Sequence, residues 1–104
     1  MNQPSQIILR TEREVKSDLK KQRSTNDNGS NPPVIDNFIV KQDDENWVIE
    51  FLIIKSLGKI YTQATYRLSA KRGGVRKFAR LSGVLAWMKK MGIREFKVVL
   101  SYLD

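Results

Sequence analysis

The strongest strand pattern in the chain is the apolar, β-branched and aromatic run from Trp47 to Lys55. Side chains in a strand point to opposite faces with a period of two, so Trp47, Ile49, Phe51 and Ile53 share one face and Val48, Glu50, Leu52 and Ile54 share the other. The segment before it, Val34 to Lys41, is apolar and β-branched and predicts a short strand. Between the two, Gln42-Asp43-Asp44-Glu45-Asn46 is an acidic turn. Ser56-Leu57-Gly58-Lys59 reads as a short hairpin connection, with the glycine supplying positive φ. The return strand, Ile60 to Leu68, sets Ile60, Thr62, Ala64, Tyr66 and Leu68 on one face and the wetter Tyr61, Gln63, Thr65 and Arg67 on the other. The period then changes. Val84, Leu85, Met88 and Met91 form the apolar face of a helix over about 83–91, with Ser82 placed to cap it and Gly92 to stop it. Lys89 and Lys90 sit in its last turn, where the helix dipole favours cations. Ile93 to Leu103 completes the pattern as a last strand.

These elements give the order β-β-β-α-β over residues 34–104. The expected fold is α+β: an antiparallel sheet with one short helix packed on one face. Residues 1–33 read as an arm and linker. Ile8, Val15 and Leu19 make a thin helical stripe, Glu12 and Lys16 an i,i+4 pair, and 24–33 is rich in Ser, Asn, Gly and Pro with no hydrophobic period. Residues 1–23 are therefore expected to be a mobile arm, disordered or becoming helical on a partner. About 70 residues then remain to build one core, a marginal number. The strand 47–54 is apolar on both faces except at Glu50, and one helix covers one face. Val48, Leu52 and Ile54, with Trp87 lying off the helix stripe, are the expected interface of a homodimer.

Charge sharpens the picture. The 104 residues carry a net charge of +8. From Arg67 onward, ten basic residues face only Glu95 and Asp104, which alone accounts for a charge of +8. Residues 34–66, by contrast, are net acidic. Half of the C-terminal cations fall in Lys71-Arg72-Gly73-Gly74-Val75-Arg76-Lys77-Phe78-Ala79-Arg80. Like charges repel, so such a concentration implies a polyanionic partner, nucleic acid before others and DNA first among these. The expected contact residues are Arg67, Lys71, Arg72, Gly73, Gly74, Arg76, Lys77 and Arg80. Gly73-Gly74 has two compatible readings, a tight turn and a loop whose backbone donors approach phosphate. No Gly-Lys-Ser/Thr follows, so it is not a P-loop. Tyr61, beside Gln63, Thr65 and Arg67, is the best candidate to stack on a base.

Other chemistries find little support. The chain has no Cys and no His, which removes thiolate metal sites, disulfides and the usual general base. Asp36, Glu50 and Glu95 are too scattered for a metal-dependent nuclease. No enzyme, metal or cofactor is expected, and no apolar run approaches a membrane span. The expected location is cytoplasmic.

Arg76-Lys77-Phe78-Ala79-Arg80-Leu81, followed by Met88, Gly92-Ile93, Phe96 and Val98, resembles small plasmid-borne partition-associated proteins of the ParC-like type. The likeness covers about residues 59–100. It implies an accessory role in the maintenance of a plasmid or other mobile element and carries over no binding residues. A second expectation is a protein-interaction adaptor in a partition or regulatory complex, docking through the apolar sheet face and the basic loop.

Overall fold

A computed structural model describes residues 8–23 and 34–100. The elements are β1 (Ile8–Arg10), α1 (Glu12–Arg23), β2 (Val34–Asp43), β3 (Asn46–Leu57), β4 (Ile60–Leu68), α2 (Leu81–Met91) and β5 (Lys97–Val99). One five-stranded sheet runs in the order β1-β4-β3-β2-β5. The fold is α+β, and the sheet is mixed rather than antiparallel. The central β2-β3-β4 meander is antiparallel as its alternation predicts, while β1 joins β4 and β5 joins β2 in parallel. The expected linker over 24–33 and residues 101–103 of the expected last strand lie outside the described residues.

The meander follows from its sequence. Phe51 pairs with Tyr66 and Ile53 with Ala64, so both strands turn the predicted faces toward one core. The hairpin turns at Gly58, whose φ of 63° is open to glycine at little steric cost. The preceding turn uses Asp44 at φ 56°, a conformation that a short polar side chain tolerates. In β2 the register shifts between Asp36 and Ile39, with Asn37 at φ 57°. This bulge explains why Ile35 and Phe38, three residues apart, are both buried.

Both helices pack on the same sheet face. Val15 and Leu19 of α1, and Val84, Trp87, Met88 and Met91 of α2, share one core with Ile49, Phe51, Ile53 and Leu68. The expected mobile arm is thus, over residues 8–23, a strand and a helix built into the fold. Its start is a capping box: the Thr11 N–H donates to Glu14 Oε1 at 2.9 Å, and the Glu14 N–H donates to Thr11 Oγ1 at 3.1 Å. Its first and last ends are held by arginines. Arg10 makes a bidentate pair with the buried Asp18, 2.9 Å at both contacts. Arg23 donates to the carbonyls of Met91 and Gly92 at the end of α2, 2.9 and 3.3 Å away.

α2 begins at Leu81, two residues earlier than the pattern predicts. Its N-cap is Arg80, which makes no side-chain capping bond, so Ser82 lies inside the helix and is not the cap. Gly92 ends it as expected, at φ 76°. The buried positions 84, 87, 88 and 91 follow the i, i+3, i+4, i+7 spacing of one helix stripe. Trp87 therefore belongs to this stripe and is 3% exposed, which removes it from the expected interface; Leu85 takes the outer position.

Candidate functional site

The segment after β4 is shaped by its two glycines. Ser69 bridges Val75, the Ala70 N–H donates to the Gly74 carbonyl at 2.9 Å, and the Arg76 N–H donates to the Leu68 carbonyl at 2.9 Å. Gly73 and Gly74 hold φ values of 95° and 74° in succession, which only glycine adopts readily. The tight-turn reading thus describes the backbone, and it sets Lys71 and Arg72 at an exposed tip. Phe78 then anchors the segment. Its backbone exchanges two 2.8 Å hydrogen bonds with Trp47 at the start of β3, and its ring is buried. The Arg76 guanidinium lies over that ring, 4.6 Å from the centroid, so a cation–π contact fixes its direction.

Glu12, in the first turn of α1, organises what faces this segment. Its Oε1 accepts from Arg76 Nη1 and from the Trp87 indole Nε1, both at 2.8 Å, and its Oε2 accepts from Lys90 Nζ at 2.9 Å. The hydrogen bond from Lys90 is the largest influence on this carboxyl. With Trp87 and Arg76 it outweighs the opposing effect of partial burial and holds the pKa at about 2, against an ordinary 4.5. The sequence pairs Glu12 with Lys16; the folded chain gives Glu12 to residues from the loop and α2 instead. Lys16 has no ion-pair partner among the described residues.

These contacts surround a cleft of about 800 Å³. Arg13 and Lys16 come from α1, Lys71 and Arg76 from the loop, and Lys90 from α2, with Glu12 the one carboxylate in the lining among the described residues. Five cations against one carboxylate in a concave site give a focused positive potential. Two of the five, Arg76 and Lys90, are tied to Glu12. Arg13, Lys16 and Lys71 are exposed and without an ion-pair partner among the described residues. None of Glu12, Arg13, Lys16 or Lys90 stands out in the sequence as part of a site. The readable signal was the capping box at Thr11-x-x-Glu14, which marks the helix that carries three of them.

The other expected contact residues separate. Arg72 flanks the cleft at the turn tip, Lys77 stands 4.0 Å from Asp43, and Arg80 is exposed at the start of α2. Arg67 is elsewhere. It opposes Glu50 across the strands on the helix-free face, 2.7 Å from Oε2, while Lys41 lies 2.9 Å from Oε1. Burial pushes the Glu50 carboxyl up, and the bonds from Lys41 and Arg67 together outweigh it, leaving it below the usual range. Arg67 thus serves an internal ion triad. On the same face Val48 is fully covered within the chain, and Leu52 and Ile54 are half-buried. Tyr61 is 72% exposed, but at about 3.3 Å per residue it sits roughly 23 Å along β4 from Leu68, where the basic loop begins.

Among the described residues no group of three or more acidic, His or Cys side chains is placed to hold a metal, and no helix is long and apolar enough to cross a membrane. Compared with known family models, curated sequences and solved structures, the chain matches none of them.

Proposed function

We propose that the protein is a non-catalytic nucleic-acid-binding accessory protein that contacts the phosphate backbone, of DNA in the first instance. The observation that carries this reading is the convergence of unpaired cations: Lys71 and Arg72 at a glycine-built tip, beside a cleft that also gathers Arg13 and Lys16. Neutralising phosphates releases condensed counterions, and this term supplies most sequence-independent affinity. The contact surface differs from the one the sequence suggests. It keeps Lys71, Arg72 and Arg76, gains Arg13, Lys16 and Lys90, leaves Lys77 and Arg80 outside the cleft, and loses Arg67 to its triad. The resemblance of residues 59–100 to partition-associated proteins is the ground for assigning the contact to plasmid or mobile-element maintenance.

The test is charge reversal at the tip. Lys71→Glu with Arg72→Glu alters two exposed side chains that no described residue pairs with, so folding should be unchanged by circular dichroism. Affinity for a labelled DNA at low salt should fall by about tenfold or more. An unchanged affinity in a folded variant contradicts the reading.

A further inference from the structure

We infer that the cleft between α1, the 69–76 loop and α2 takes the backbone of a single nucleic-acid strand in preference to a duplex, with Arg13, Lys16 and Lys71 as the contacting cations. The inference rests on the phosphate-contact reading and adds the strand state of the ligand. Its ground is the shape of the charge. The five cations of the cleft do not lie in a row on a flat or ridged surface; they come from three elements and line a concavity. A volume of about 800 Å³ falls within the usual range of small-molecule sites, enough for a segment on the order of one or two nucleotides. A duplex is a stiff rod whose phosphates lie on its convex outside, so it meets the exposed side chains at the mouth without entering the concavity. A single strand bends at each nucleotide and can lower one or two phosphates among all five cations.

The cations have distinct tasks. Arg76 is fixed by the Phe78 ring and Glu12, and Lys90 by Glu12. They form a wall of set geometry that needs little reorganisation when an anion enters. Arg13 and Lys16 lie three residues apart on one face of α1 and remain available to close on the strand. Glu12 is a positioning residue: it holds the wall and lowers the charge of the empty cleft, which limits repulsion among the five cations. Among the described residues no exposed aromatic lines the cleft, and Trp87 turns its N–H to Glu12 while its ring is buried. The cleft therefore binds through charge, without stacking on bases.

The experiment uses the full chain and fluorescence anisotropy with labelled oligonucleotides of about 12 units, a length typical of one single-strand site. The probes are oligo-dT, oligo-U and the dT·dA duplex. The expected result is binding to dT or U at least about tenfold tighter than to the duplex; preference between dT and U identifies the sugar. Arg13→Ala with Lys16→Ala should lower single-strand affinity about tenfold and duplex affinity by less than about threefold. Both positions are exposed, and the melting temperature checks that the variant is folded. Equal affinity for strand and duplex, or an equal loss for both, overturns the inference while the phosphate-contact reading stands. Absence of binding to all three probes overturns both.

Discussion

Glu12 shows most clearly how a residue acquires its role from distant chain. A local rule pairs it with Lys16, one turn away on the same helix. The winning partners are Arg76, Trp87 and Lys90, between 64 and 78 residues off in sequence. Three donors on one carboxylate exceed what an exposed i,i+4 pair contributes. The consequence for pH follows from the sign of the shift. A carboxyl held at about 2 in the folded chain and near 4.5 otherwise stabilises the fold fully above 4.5, and that contribution is lost as pH falls toward 2. Glu12→Gln should therefore cost about 1–3 kcal/mol at neutral pH. It should also flatten the fall in stability between pH 4.5 and 2, though not abolish it, because Glu14 and Glu50 are lowered too. Denaturant unfolding of both proteins across that range decides the matter. Parallel acid profiles would show that the three contacts contribute nothing.

At the level of elements, what the chain shows openly is the meander and α2. The strand-like runs Trp47–Lys55 and Ile60–Leu68 and the i, i+3, i+4, i+7 spacing of α2 are local patterns, and Gly58 and Gly92 mark their ends. What it hides is non-local. β1 and β5 are three residues each, too short to display a period, and their parallel pairing depends on where α1 and α2 return the chain. The helix α1 is concealed by its charge: only Val15 and Leu19 are apolar and buried, while the buried Asp18 reads as a surface residue until Arg10 is seen to pair with it. The site inherited this gap. Its loop was legible from the run 71–80, whereas the half supplied by α1 depends on a docking that no spacing reveals. If α1 is part of the core, Leu19→Ala should cost about 2–4 kcal/mol, and the exposed Lys16→Ala within about 0.5. Thermal or urea unfolding measures both. A loss below about 1 kcal/mol at Leu19 would mean that the helix is only laid on the surface.

Across the whole molecule, ion pairs engage part of the acidic charge. Three buried or half-buried carboxylates are absorbed: Glu50 by Lys41 and Arg67, Asp18 by Arg10, Glu12 by Arg76 and Lys90. Of the exposed cations without an ion-pair partner among the described residues, Arg13, Lys16, Lys71 and Arg72 gather at the loop and the α1 face beside it, while Lys55, Lys59, Lys89, Arg94 and Lys97 lie elsewhere. In a molecule of net charge +8, the proposed contact with a polyanion is made at the loop and the α1 face beside it. The most direct test of this account is the salt dependence of binding to a single-stranded oligonucleotide, read by anisotropy from low to physiological salt. Log affinity against log salt is expected to fall on a straight line with a slope of roughly −1.5 to −2, as two or three neutralised phosphates, one or two in the cleft and one at the Arg72 tip, require on a single strand. A flat line, or no binding even at the lowest salt, would contradict it.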